Sequence, residues 1–413
     1  MTGMSMTAGL AEIYRDLHMH PELAFQETRT SGIVAKRLTA LGFDVTTGVG
    51  VTGVVGTLHN GEGPTALLRA DMDALPVEES TGLDYASTQR GTDVDGHDVP
   101  LMHACGHDVH VTCLLGAAAE LAGDKGSWSG TIMLVFQPAE ESGGGAQAMV
   151  ADGLYDRFGR PDVVLGQHVA PIPAGLLALH PGVAFAAADA LRVTMYGQGA
   201  HGSRPEASID PVVMAAATVL RLQTVVSREI AGNQTAVVII GALRAGTKGN
   251  IIPGEAELLL SVRTFDEEVR TRVLASIERI VRAEAAASGA TRDPELTPLE
   301  TYPAVRNDVA ASARIQAAFS ARFGADKLVD PGSATGSEDV GMLATEAGAP
   351  IVYWLLGGAD PAPFAGATGA DDLLRITREL PSNHSPFFAP VIEPTLSTGV
   401  TALVTAAQNW LAR

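Results

Sequence analysis

Four short stretches of this chain carry residues able to bind a metal or move a proton. Asp71 and Asp73 follow the apolar run 65–70, Gln137, Glu140 and Glu141 follow the run 131–136, and Gln167 and His168 follow 162–166. The segment 102–110 holds His103, Cys105, His107, Asp108 and His110 just ahead of a helical pattern. Thiolate, imidazole and carboxylate together make a transition-metal ligand set, most naturally one for zinc. Taken singly, each residue has a plainer role. A lone His is commonly a surface or hydrogen-bonded group, Cys105 a small buried hydrophobe, and paired glutamates the acidic start of a helix. Independent accidents would not all fall at the ends of neighbouring strands. Cys113 sits inside the apolar run VTCLLGAAA and belongs to the core.

The elements that must position these residues follow from the pattern. Runs 65–70, 131–136, 162–166 and 350–357 read as buried strands, with helices near 7–18, 27–41, 108–122, 145–156 and 393–412. Strand–helix alternation implies crossover connections and an α/β catalytic domain, its mostly parallel sheet flanked by helices. Ligands of such sheets lie beyond the carboxyl ends of the strands, where the polar residues above collect. The middle of the chain differs. Strand 189–197, a helix opening at Asp210-Pro211, strands 235–243 and 255–264, helix 266–287 and a strand near 293–301 give the ferredoxin-like order. The expected organisation is a discontinuous catalytic domain, 1–183 and 299–413, interrupted by a smaller α+β domain at 184–298.

The stretches RADMDALPVEE (69–79), MHACGHDVH (102–110), FQPAEESGGGA (136–146), GQHV (166–169), GQGAHGSRPE (197–206), GNIIPGEAEL (249–258), TGSEDV (335–340) and NHSPFFAP (383–390) stand in one consistent order along nearly the whole chain. In them the sequence resembles the N-acyl-amino-acid amidohydrolase group of di-zinc peptidases, which includes hippurate hydrolases, bacterial aminoacylases and plant auxin-conjugate hydrolases. The resemblance implies two divalent metal ions, zinc first and manganese as the alternative. It implies metal ligands at Cys105, His107, Glu141, His168 and His384. Glu140 is then the general base, taking a proton from water and delivering it to the leaving nitrogen. Asp73 would orient a metal-bound histidine from behind.

The wider clan has a His ligand at the position of Asp71. Here Cys105 supplies the missing donor, so Asp71 receives no role, and neither do His103 and His110. In the interrupting domain, His201 resembles the family histidine that reaches a neighbouring subunit's site and stabilises an oxyanion. Asn250 and Arg263 match positions used near a substrate carboxylate, which suits the planar fork of Arg. Arg263 reads nearly as well as a strand-end arginine in a surface ion pair. A homodimer is implied, with a lid and dimerisation role for the smaller domain.

Composition sets the remaining bounds. With 413 residues, 46% hydrophobic and 18% charged, the chain suits a folded protein of two domains. The balance of 28 Lys+Arg against 47 Asp+Glu gives a net charge of −19. Nucleic acid and anionic membranes are therefore poor partners. The first ten residues have neither a basic leader nor a long apolar run, and two cysteines do not make a disulfide framework. A cytoplasmic address is expected. The expected activity is metal-dependent hydrolysis of N-acyl amino acids, with carboxypeptidase or dipeptidase activity as the alternative. A degenerate metal-binding protein would lose the base or a ligand, whereas every expected position is filled. The glycines 143–145 lack the spacing of a dinucleotide-binding turn and follow two acids, which excludes a dehydrogenase.

Overall fold

Four runs of β-prone apolar residues set the centre of the protein. In the computed structural model, which describes residues 3–411, they form strands Thr65–Asp71, Gly130–Gln137, Val163–Pro173 and Ile351–Ala359. Strand Thr65–Asp71 pairs in parallel with Gly130–Gln137 on one side and Val163–Pro173 on the other, and Ile351–Ala359 continues the parallel order. Almost every residue of the first two is buried, as expected for a parallel sheet covered on both faces. Register then sets the site edge: Asp71 lies opposite Gln137, and His168 opposite Leu355.

Four more strands extend this sheet to eight. Asp44–Val49 and Gly53–Asn60 add an antiparallel pair at one edge, and the short strands Leu177–Ala178 and Leu328–Val329 complete the other. Helix His107–Gly123 is buried without a break from His107 to Ala118. Helix Thr395–Leu411 packs beside it so closely that a Cβ on Gly116 would stand 2.5 Å from Val400. The core includes Tyr14, Leu17, Phe136, Trp354 and Leu403. Truncating the fully buried Phe136 to Ala would cost about 3–5 kcal/mol.

The chain divides into two compact units: Met1–Ala184 with Arg306–Gly332 and Asp339–Arg413, and Phe185–Val305 with Ser333–Glu338. The second unit holds a four-stranded antiparallel sheet in the order Ala236–Ala245, Glu255–Thr264, Ala187–Tyr196, Glu295–Tyr302. Helices Pro211–Thr224 and Glu267–Ala287 share one core with it, built on Val193, Met214, Leu258, Val262, Val273 and Ile277. This is the ferredoxin-like arrangement. Burial alternates along Glu255–Thr264, the period-two signature of a sheet with one face inward. Asp210 caps its helix by accepting from the Val212 amide at 2.8 Å.

Several elements depart from the pattern. The expected helix 145–156 is two, Gly145–Ala151 and Leu154–Phe158, broken at Gly153 with φ +81°. The run 162–166 is the start of a strand reaching Pro173. The strands within 44–60 and the helices Val309–Phe323 and Val340–Ala347 carry no signal strong enough to have been read. Among the described residues, no helix is long and apolar enough to cross a membrane.

Candidate active site

Each stretch of polar residues reaches the site through a specific backbone device. Gly106 has φ +84° directly before the helix that begins at His107, and a Cβ there would meet Val169 at 2.4 Å. Only glycine lets Cys105 and His107 both turn toward the sheet edge. After strand Gly130–Gln137, Ala139 adopts φ +50° and leads into Glu140 and Glu141. His384 also has a positive φ, +70°, and its amide donates to Ala104 O at 2.8 Å. Backbone in this region is strained for residues with a side chain and persists only where surrounding contacts hold it.

The side chains converge within the first unit. Cys105 Sγ lies 3.5 Å from His168 Nε2. Glu141 Oε2 lies 3.4 Å from His384 Nε2, and Glu141 Oε1 lies 3.8 Å from His107 Nε2. Glu140 Oε2 stands 3.9 Å from that same His107 nitrogen. Cys105, His107 and His168 form one group whose ligating atoms all lie within 4.8 Å of one another, and Cys105, Glu141 and His384 form another. All but the half-exposed His384 are largely withdrawn from solvent. These five side chains come from four segments of the chain, and Cys105 belongs to both groups.

Hydrogen bonds decide which histidine nitrogens face inward. The Nδ1–H of His168 donates to Val169 O at 2.8 Å, leaving Nε2 as a bare lone pair toward Cys105. His110 differs. Its Nε2 accepts the Val169 amide at 2.8 Å, so its proton is on Nδ1, which donates to Asp71. Both of its nitrogens are used, and His110 is a structural residue. Asp73 serves two masters: it accepts the amides of Glu140 at 3.0 Å and Glu141 at 2.9 Å, and it lies 3.3 Å from His107 Nδ1.

The electrostatics of the cluster are set by burial and by its own carboxylates. Burial raises the Cys105 thiol pKa well above its ordinary value, and Glu141, Glu140 and Asp71 push it further. Burial alone would lower the His107 pKa, yet Asp71, Asp73 and Glu141 hold it at about 10. Burial and the neighbouring His110 depress His168 well below the usual imidazole range. Burial would raise Glu141, but His384 and His107 keep it low. His107 Nε2 and Glu141 Oε1 are buried without a hydrogen-bond partner, whereas His107 Nδ1 faces Asp73 at 3.3 Å. Each such orphan costs about 1–3 kcal/mol. A soft thiolate donor, imidazole lone pairs and a carboxylate around these orphans fit a divalent transition metal.

His201, Asn250 and Arg263 lie in the second unit. His201 is exposed, and its Nδ1 is bonded to the Ser203 hydroxyl at 2.7 Å. The short strand Ala200–His201 pairs with Ile251–Ile252, and Gly202 donates to Asn250 O at 2.9 Å, which brings His201 and Asn250 side by side. Arg263 donates to Thr335 O at 3.1 Å and to Ser337 Oγ at 2.8 Å within its own unit.

Some residues about the site escaped the reading of the sequence. Arg69, fully buried, donates to Gln137 at 2.9 Å, to Asp71 at 2.6 Å and to Asp339 at 3.0 Å. It locks together the ends of the two strands that carry Asp71 and Gln137. An arginine in the middle of the buried run TALLRA was the available signal, because a buried guanidinium demands partners. Glu27 and the pairing of His18 with Asp108 and Glu79 gave no such signal, since no local pattern ties residues so far apart.

The chain matches the model of peptidase family M20/M25/M40 over residues 67–372. It is 36% identical over 353 residues to a Saccharolobus solfataricus protein described as thermostable carboxypeptidase 1, covering 84% of this chain and 85% of that one. It is 41% identical over 279 residues to a Campylobacter jejuni protein described as hippurate hydrolase, covering 67% and 70%. A solved Bacillus subtilis structure, described as a dinuclear metal-binding peptidase from the M20 family, superposes with TM-score 0.77 and 28% identity over 98% of this chain and 99% of the other. The protein belongs to peptidase family M20/M25/M40. It is a metal-dependent hydrolase of amide bonds.

Proposed function

We propose that this protein hydrolyses N-acyl amino acids, with two divalent cations held by Cys105, His107, Glu141, His168 and His384. The observation that carries the reading is the pair of ligand groups sharing Cys105, with His107 and Glu141 atoms buried and unpartnered between them. The dinuclear B. subtilis relative supports two ions. Zinc is the expected metal, because a thiolate ligand favours it, and manganese is the alternative. Bound there, such ions would acidify water and polarise the scissile carbonyl.

The protein's own groups do the rest. Glu140 is the general base, taking a proton from the attacking water and passing it to the leaving nitrogen as the amide bond breaks. Asp73 holds the Glu140–Glu141 turn and sits behind His107, fixing both at once. His168 presents Nε2 because its other nitrogen is committed to the backbone. His201, with its ring oriented by Ser203, is assigned to oxyanion stabilisation in a partner subunit's site. Asn250 and Arg263 are assigned to the substrate carboxylate.

A homodimer is part of this reading, with the segment 184–298 as the inserted lid and dimerisation domain. The edge strand Ala236–Ala245 exposes Val237, Ile239 and Leu243, and helix Pro211–Thr224 exposes Val212, Val213 and Leu220. Apolar surface on an edge strand and a helix is what a second copy would cover. Two free cysteines suit the cytoplasm. The partner is a small amide, and the net charge of −19 disfavours nucleic acid and membrane surfaces.

The test is a release assay with zinc- or manganese-loaded protein and a panel of N-acetyl, N-benzoyl and long-chain acyl amino acids beside dipeptides. Cleavage of an N-acyl amino acid, stopped by a chelator and restored by metal, is the expected result. The similarity to thermostable carboxypeptidase 1 favours a second reading, carboxypeptidase activity. Turnover of peptides alone would select it.

A further inference from the structure

We propose that Glu27 is a positioning residue for the general base: its buried carboxylate holds the Ala139 amide and so sets the direction of Glu140. The inference rests on the function proposed above, and it starts from an acid at a helix start. Glu27 stands at the N-cap of helix Thr28–Ala40, and its carboxylate makes no bond to the helix's first amides. Glu22 does that work, accepting from Arg29 N and Thr30 N at 2.8 Å each. The Glu27 side chain is thereby released inward and is fully buried.

Inside, it accepts the Ala139 amide at 2.8 Å and the Phe25 amide at 3.1 Å through Oε1, and the Thr52 hydroxyl through Oε2. Asp73 takes the next two amides, those of Glu140 and Glu141. Three consecutive backbone N–H groups are thus held by two carboxylates from distant parts of the chain. Ala139 is the strained member, at φ +50°. A side-chain-bearing residue stays there only if its neighbours outweigh the strain. Gly145 N donates back to Ala139 O at 3.1 Å, which closes the turn from the other side. Asp73 holds the amides at the far end of this turn, and Glu27 holds the amide of the strained residue before them. Burial and the nearby Asp73 raise the Glu27 pKa to about 7. A protonated carboxyl keeps the same contacts, since Oε1 still accepts both amides while Oε2–H donates to Thr52.

That geometry selects the variants. Glu27→Gln can accept both amides through Oε1 and donate to Thr52 through its nitrogen. Glu27→Leu keeps the bulk and removes the acceptor. Glu27→Asp withdraws it by one methylene. We would measure kcat and KM on whichever substrate the wild type cleaves, bound metal per chain, and amide hydrogen exchange in peptides spanning 137–142. Misplacing a catalytic group by about 1 Å costs about 100-fold, so Glu27→Leu and Glu27→Asp should lose about 30–100-fold in kcat. KM and metal content should be retained, and exchange at Ala139 should quicken about tenfold. Glu27→Gln should stay within about threefold of wild type in every readout. Should Glu27→Leu fail to fold, Glu27→Asp carries the test. Wild-type kcat in the acceptor-lacking variants, or equal damage from Glu27→Gln, would overturn the proposal. Unchanged exchange at 137–142 would also overturn it, and that readout needs no substrate. If wild type cleaves nothing, the functional reading fails while the exchange experiment still decides Glu27.

Discussion

Cys105 Sγ and His168 Nε2 face each other at 3.5 Å although 63 residues separate them in the chain. The contact is possible because Gly106 turns the backbone of one and the Val169 carbonyl holds the ring of the other. Burial disfavours the thiolate and the imidazolium alike, so the pair meets as a neutral thiol and a neutral imidazole.

Cys105→Ser tests this pair against its neighbour His110. A serine hydroxyl is a far poorer metal donor than a thiolate. The variant should lose about one equivalent of metal per chain and about 100-fold or more in turnover. His110→Asn, at a residue whose two nitrogens bond Asp71 and Val169, should keep both equivalents. Elemental analysis of the purified variants reads the difference, and metal loss in the His110 variant alone would reverse the assignment.

Glu140→Gln keeps the shape of the side chain and removes its basicity. Turnover should fall by about 10²–10⁴-fold, the usual contribution of a general base. Metal content should not change, because the bond from the Glu140 amide to Asp73 is made by the backbone. Wild-type turnover in a metal-loaded variant would remove Glu140 from the mechanism.

Metal should stabilise the fold as well as complete the site. An ion present at about 1,000 times its Kd and bound only by the native state adds about 4 kcal/mol. For a chain of this size that corresponds to a rise in Tm of about 5 °C. Differential scanning fluorimetry with zinc, manganese and chelator would show it. Identical melting in all three would contradict a shared cluster built from orphaned His107 and Glu141 atoms.

His18 gives a pH-dependent prediction. It lies buried between Asp108 at 2.7 Å and Glu79 at 3.1 Å. Burial alone would lower its pKa, but the two carboxylates hold it at about 10, against about 6.5 in the unfolded chain. A folded pKa above the unfolded one contributes stability that is complete below about 6.5 and lost as pH rises toward about 10. His18→Gln leaves two buried acids without their cation, and should be less stable than wild type by about 3–5 kcal/mol at pH 6. Urea titrations at pH 6 and pH 9 should find the gap narrower at the higher pH. A gap that widened would contradict the pairing.

Much of the architecture was legible because burial on both faces leaves a plain mark. The four strands read from apolar runs are the four parallel strands of the centre, and the strand–helix order of the middle segment is the observed ferredoxin-like unit. The strands Asp44–Val49 and Gly53–Asn60 were not legible, since the first is largely exposed and its residues carry little apolar signal. The helix 145–156 was misjudged because a local pattern cannot foresee Gly153 taking a positive φ.

The sequence by itself determined the chemistry on offer: which residues bring thiol, imidazole and carboxylate, and the order in which strands deliver them. Tertiary structure decided which of those groups meet. It spent both nitrogens of His110 on Asp71 and Val169, set Asp73 behind His107 Nδ1 while leaving Nε2 without a hydrogen bond, and turned Glu27 away from its own helix toward Ala139. The reason is that donor type is a property of a residue, whereas the direction of a lone pair depends on hydrogen bonds made with residues tens or hundreds of positions away.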